Sequence, residues 1–99
     1  MNGLEADYAD RLGLLQLAGE IHVWRFGSLR FHLGGGAWYK PDFLVVLPDG
    51  LVELHETKGH WREAARVRIK VAAAAFPEFR FVAVTKPKGQ DWTFEEIEP

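Results

Sequence analysis

Apolar residues recur along this chain in two rhythms. Leu4, Tyr8, Leu12 and Leu15 fall three or four positions apart, the spacing of one helical face. Asn2 stands before them as a cap, with Glu5 three residues later, the arrangement of a capping box. Gly19 ends the pattern, so a helix is expected over residues 3–18. Ile21–Leu33 is rich in β-branched and aromatic residues and is expected to be extended, with Gly27-Ser28 interrupting it as a bulge or bend. Gly34-Gly35-Gly36 is a loop, and two apolar runs then flank Pro48-Asp49-Gly50. Trp61–Phe76 carries Arg, Glu, Ala and Lys, which favour a second helix, and Pro77 stops it. Phe79–Thr85 is an apolar strand, Lys86–Gly89 a turn, and Trp92–Ile97 a short last strand or a tail. No internal repeat, low-complexity segment or linker divides the chain. The order of helix, three strands, helix and strand predicts one α/β or α+β domain over residues 1–99. Its centre is a mixed sheet of about four strands with helices packed on it.

The turn between the apolar runs fixes a register. Pro48 suits the first turn position and Asp49 the second, and Gly50 supplies the left-handed residue that closes a three-residue hairpin loop. Leu47 then faces Leu51, and counting outward sets Asp42 opposite Glu56. Directly opposed residues project to one face, with Cβ atoms about 5 Å apart. Strand alternation places Val52, Leu54, Glu56 and Lys58 on that face and turns Glu53, His55 and Thr57 to the other. Two carboxylates and a lysine therefore gather at one end of an apolar face. Such a pair of carboxylates repel each other and add nothing to stability. A divalent cation resolves the conflict, and Mg²⁺ typically takes one or two carboxylates and completes its shell with water and phosphate oxygens. The competing reading is a pair of surface ion pairs, Asp42–Lys58 or Glu56–Lys40.

Composition sets limits and adds one asymmetry. The chain has 99 residues, 47% hydrophobic and 26% charged, with seven Phe and four Trp, enough for one modest core. It lacks cysteine, which excludes a disulfide framework and a thiolate zinc site. The N-terminus lacks a basic start followed by an apolar stretch, and no apolar run approaches the ~20 residues of a membrane span. A cytoplasmic protein with no membrane partner is expected. The net charge of −2 does not announce a nucleic-acid partner, but Lys58, Arg62, Arg66, Arg68 and Lys70 cluster against Glu63 alone.

Pro41-Asp42, thirteen residues, then Glu56-Thr57-Lys58 resembles the signature of the PD-(D/E)XK nuclease superfamily. The motif is short, and its surroundings carry the resemblance. The family sets its aspartate and E-x-K triplet on adjacent strands of one hairpin, preceded by a helix that contributes a glutamate and followed by a helix and a further strand. Glu5 matches the helical glutamate, and order and spacing agree over residues 3–85. Tyr39–Phe43 and Lys58–Trp61 also resemble small phage-encoded endonucleases and relatives of Holliday junction resolvases. The resemblance implies a restriction-endonuclease-like core and hydrolysis of DNA phosphodiester bonds with Mg²⁺ or Mn²⁺. It implies that Asp42, Glu56 and the Thr57 backbone carbonyl bind metal, that Lys58 orients or deprotonates the attacking water, and that Glu5 completes the site. A junction resolvase, or a DNA-binding module that has kept the fold without activity, is the alternative; the presence of Asp42, Glu56 and Lys58 together argues for activity.

The remaining candidates have rival roles. Glu5 also caps its own helix. His55 is expected to pack on the sheet or face solvent, opposite Glu56. His60, just past the E-x-K strand, is assigned to DNA contact against a loop or cap role. Arg62, Arg66 and Lys70 form one stripe four residues apart, assigned to phosphate contact against the alternative of a solvated helix face. Arg68 lies off that stripe without an assigned role. Trp38, Tyr39 and Trp61 flank the site, to stack on bases or to pack. Trp24, Phe26, Leu29, Phe31 and Trp38 offer more apolar surface than a small domain buries easily, so a homodimer built from this region is expected.

Overall fold

The computed structural model describes residues 1–99 as two helices and seven strands. Helix α1 (Gly3–Leu17) leads to β1 (Val23–Phe26), β2 (Phe31–Gly34), β3 (Ala37–Tyr39), β4 (Phe43–Val46) and β5 (Val52–Thr57). Helix α2 (Glu63–Ala75), β6 (Arg80–Thr85) and β7 (Thr93–Glu96) follow. Five strands form one mixed sheet in the order β1-β4-β5-β6-β7, parallel only between β5 and β6, where α2 makes the crossover. The fold is thus α/β with a mixed sheet, as the sequence pattern indicates, but the sheet has five strands where about four are expected. The tail alternative for the C-terminus is excluded, since β7 pairs with β6 from Val82–Glu96 to Thr85–Thr93.

The extended segment over Ile21–Leu33 is not one strand. β1 pairs with β4, whereas β2 pairs with β3 in a separate two-stranded ribbon. Gly27 divides them. Its φ of +63° directs the chain out of the sheet, a conformation that side-chain-bearing residues rarely adopt. Gly27 N–H donates to the Asp42 carbonyl at 2.8 Å, so the end of β1 is tied to the residue just before β4.

The hairpin register is the one its turn dictates. Leu47 N–H donates to the Leu51 carbonyl at 2.9 Å, and Asp49 Oδ1 accepts from Leu51 N–H at 2.9 Å. Gly50 takes φ +91° inside the loop. The ladder runs Val46–Val52, Val45–Glu53, Leu44–Leu54 and Phe43–His55, so the next opposed pair is Asp42 and Glu56.

Two apolar clusters hold the sheet between its helices. On one face Tyr8 and Leu12 of α1 meet Ile21, Phe43, Val45, Val82 and Val84. On the other Ile69, Ala72 and Ala73 of α2 meet Phe31 and Tyr39 of the ribbon with Leu54, Phe81 and Ala83. Strand alternation thus assigns Leu54 and Glu56 to the α2 side and His55 to the α1 side. Helix α1 begins with the capping box its sequence announces: Asn2 Oδ1 accepts from Glu5 N–H, and Glu5 Oε1 accepts from Asn2 N–H, both at 2.8 Å. Such a cap typically contributes about 1 kcal/mol. Of the apolar residues expected at a dimer surface, Phe31 is core and Trp24 is half-buried beside Phe43, leaving Phe26, Leu29 and Trp38 exposed. No helix is long and apolar enough to cross a membrane.

Candidate active site

A cavity of about 250 Å³ opens on the α2 side at the ends of β4 and β5, where the opposed carboxylates stand. Asp42, Glu56 and Lys58 line it with Trp38, Tyr39, Lys40, Ala65 and Arg68. The hairpin supplies the carboxylates, the residue after β5 supplies Lys58, the ribbon supplies the aromatic wall, and α2 supplies Arg68.

Each carboxylate is held on one side and free on another. Asp42 Oδ2 accepts from Thr57 N–H at 2.8 Å and from Thr57 Oγ1–H at 3.0 Å. Both bonds use the same oxygen, so Oδ1 keeps its lone pairs. Glu56 is only 6% exposed, and its Oε2 lies 3.5 Å from Lys58 Nζ. Burial pushes the Asp42 carboxyl above its usual range; the Thr57 bonds oppose this, and the negative charge of Glu5 adds to it. Burial likewise pushes Glu56 up, offset in part by Tyr39 and Lys58 and reinforced by Asp42. Glu5 of α1 is therefore close enough to act on Asp42 electrostatically while one of its oxygens caps its helix.

Tyr39 is a functional-site residue to which sequence reasoning gave only an aromatic role. It is 2% exposed, and its buried hydroxyl faces the Glu56 carboxylate. Burial pushes its phenol far up, and the Glu56 carboxylate pushes it further, so the hydroxyl stays protonated. A hydroxyl that stays protonated beside Glu56 orients that carboxylate from within the cavity wall. No group of three or more His, Asp or Glu side chains converges in the chain, so an ion here has two carboxylates and must complete its shell with water, a main-chain carbonyl or a ligand oxygen. That donor set is oxygen only, as suits Mg²⁺ or Mn²⁺.

Helix α2 distributes its cations on two flanks. Ile69, Ala72 and Ala73 mark its buried line. At about 100° per residue, Arg66 and Arg68 fall on opposite sides of that line. Arg66 turns toward β7 and grips Glu95 with two bonds of 2.9 Å, its guanidinium 5.8 Å from the Trp61 ring. It is not brought to the carboxylates. Arg68 lines their cavity, without an ion pair to either. Arg62 occupies the N-cap position without capping through its side chain, and it, Lys70 and His60 are exposed. The signal for Arg68 lay in its neighbours: it shares a flank with Ala65, small enough for that side of the helix to approach the cavity.

His55 lies on the far face in a closed polar chain, more deeply buried than a surface role requires. Its Nε2 meets Glu53 Oε1 at 2.8 Å and its Nδ1 meets the Tyr8 hydroxyl at 2.6 Å. Glu53 also accepts from Arg80 at 2.9 Å, so its carboxylate is an acceptor on both sides. Since the Glu53 carboxylate can only accept, His55 Nε2 carries a proton toward it. The His55 bond, ahead of Arg80, holds the Glu53 carboxyl below its usual range. This chain ties α1 to β5 one residue away from Glu56 and on the opposite face.

The carboxyl shifts predict a pH signature. A carboxyl whose folded pKa exceeds its unfolded value favours the folded state at low pH. That contribution is complete below the unfolded value of about 4 and is lost as pH rises through the folded value. Asp42 and Glu56 behave so; Glu53 runs the other way, stabilising above its unfolded value and losing this as pH falls through the folded one. Asp42→Asn keeps an acceptor for Thr57 and removes the buried charge. We expect it to be more stable than the parent protein at pH 7 in EDTA, with the advantage gone at pH 3, as measured by urea unfolding. An equal difference at both pH values would contradict the buried-charge account.

Compared with known proteins, the chain matches no family model, no curated protein and no solved structure.

Proposed function

We propose that this chain is a metal-dependent DNA endonuclease of the PD-(D/E)XK kind, built on a restriction-endonuclease-like core. The observation that carries this reading is the meeting of Asp42, Glu56 and Lys58 in one cavity, beside the buried Tyr39 hydroxyl. Asp42 Oδ1 and the Glu56 carboxylate would hold Mg²⁺ or Mn²⁺, with the Thr57 carbonyl as a further ligand. When bound, the ion lowers the pKa of its water and neutralises charge on the scissile phosphate. Lys58 stands 3.5 Å from Glu56, where an ammonium can orient an attacking water and stabilise phosphate charge. Tyr39 donates to a group at the Glu56 edge of the cavity, and Glu5 adds negative charge on the Asp42 side. Incubation with supercoiled, linear, single-stranded and branched DNA tests the reading: cleavage is expected with Mg²⁺ or Mn²⁺ and none with EDTA. Intact DNA in every arm would refute it.

Arg68 replaces Arg66 as the first phosphate contact in this reading, since Arg66 is occupied by Glu95. Arg62, Lys70 and His60 remain open to solvent for the flanking backbone. Each lost phosphate contact flattens the log–log salt dependence of binding by about one unit. Arg68→Ala is expected to do so without sequence preference, and Arg66→Ala to leave the slope unchanged. Fluorescence anisotropy over a salt series measures both, and the opposite ranking would return the contact to the outer stripe.

Cutting two strands requires two sites of opposite polarity, which a two-fold homodimer provides. The exposed Phe26 and Leu29, in the segment between Trp24 and Trp38, are the surface we assign to it. Light scattering at micromolar concentration, with and without DNA, checks this. A monomer in both conditions that nicks one strand per encounter would refute the dimer.

A further inference from the structure

The β2–β3 ribbon has an inner and an outer face, and they differ in chemistry. Phe31 and Tyr39 pair across the ribbon and are both buried in the α2-side core. His32 and Trp38 pair next to them and are turned outward. Their rings lie 4.7 Å apart between centroids, tilted by 38°, and the Arg30 guanidinium lies 4.4 Å from the centre of the Trp38 ring. Even with His32 and Arg30 against it, Trp38 remains 46% exposed. A Trp, a His and an Arg held together in the open have no core to build.

Trp38 also forms a wall of the cavity that holds Asp42 and Glu56, beside Lys40, Lys58 and Arg68. The outer face of the ribbon therefore continues directly from a wall carrying three cations into a stacking surface. A polyanion bearing flat aromatic rings matches both parts: phosphate for the cations, a base for the exposed Arg30–Trp38–His32 cluster. We infer that the outer face of the ribbon binds an unpaired DNA base next to the phosphate in the cavity, so that the site acts on single-stranded or locally unpaired DNA in preference to intact duplex. This rests on the nuclease reading for why DNA enters the cavity. The physical ground for the preference is that a base within a duplex already has both faces stacked on its neighbours. An unpaired base offers a free π-face to tryptophan, imidazole or a guanidinium plane.

Stacking of one base on an aromatic side chain changes affinity by roughly ten-fold when the side chain is truncated. The test uses fluorescein-labelled oligothymidylate and a blunt hairpin duplex of equal charge, titrated with protein in EDTA at fixed salt. Trp38→Ala is expected to weaken oligothymidylate binding about ten-fold and duplex binding less than two-fold, with Trp38→Phe restoring most of the loss. Arg30→Gln and His32→Ala, which leave the ring in place, are expected to weaken the single strand by smaller factors. Thermal melts followed by circular dichroism identify any variant that fails to fold, and Arg30→Gln then carries the comparison. Equal losses on both DNAs, or no loss on the single strand, would overturn the inference. Cleavage in Mg²⁺ is read separately on the parent protein. DNA left intact while Trp38 still governs single-strand affinity refutes the nuclease reading and leaves the stacking surface standing. Cleavage with an affinity indifferent to Trp38 does the reverse.

Discussion

If the chain cleaves DNA as proposed, Glu56→Gln and Asp42→Asn are each expected to reduce the rate by on the order of 10³-fold or more while the fold survives. A metal ion contributes several kcal/mol of charge stabilisation in phosphoryl chemistry, and each 1.36 kcal/mol is ten-fold in rate. With only two carboxylates in the cavity, neither can be lost without halving the acidic ligand set. The amides are better tests than alanine. Asp42 also accepts from the N–H and hydroxyl of Thr57, so Asp42→Ala would strand a part-buried donor at a cost of about 1–3 kcal/mol. That cost opposes the relief of carboxylate repulsion and would blur a loss of metal with a loss of structure. Asparagine keeps an acceptor and removes the charge. Thermal stability supplies a second readout. At ten times the dissociation constant, Mg²⁺ would stabilise the parent protein by about 1.4 kcal/mol, and the amide variants much less. Cleavage at the parent rate by either variant at saturating Mg²⁺ would sink the metal assignment.

Lys58→Ala is expected to lower the cleavage rate by about 10²–10³-fold, the scale of removing one preorganised stabilising group, with Mg²⁺ affinity close to that of the parent. A protonated ammonium cannot be a ligand. Its side chain is 40% exposed and reaches the cavity from its rim, whereas Glu56 is buried within it. Removing the ammonium also takes a counter-charge from Glu56, whose carboxyl then moves further up. Rate and Mg²⁺ affinity are therefore compared at alkaline pH, where proton competition for Glu56 is least, and Lys58→Arg, which keeps the counter-charge, serves as the control. Calorimetric titration separates the two roles. Lost Mg²⁺ binding in a folded Lys58→Ala protein would contradict the division of labour between Lys58 and the carboxylates.

What the sequence determined by itself is what neighbouring residues decide among themselves. Pro48-Asp49-Gly50 sets a three-residue loop, the loop sets the register, and alternation then places Glu56 and Lys58 with Leu54 and opposes Asp42 to Glu56. The capping box of Asn2 and Glu5 starts α1, and Pro77 follows the end of α2. These are contacts within a few residues or across one tight turn, where local geometry leaves few choices.

The tertiary structure decided what depends on elements far apart in the chain. His55 could be assigned a face from alternation, but its burial needs Tyr8, 47 residues earlier, docked over β5 by α1. Arg66 and Arg68 lie on opposite flanks of α2, and only the packing of that helix against β6 and the β2–β3 ribbon chose Glu95 for one and the cavity of the carboxylates for the other. Tyr39 belongs by sequence to the run leading into the hairpin. The turn of the chain at Gly27 and the separate pairing of β2 with β3 bring its hydroxyl in beside Glu56 instead. Side-chain rhythm specifies which way a residue points from its own strand or helix; what it meets there is set by the packing of surfaces that the rhythm does not encode.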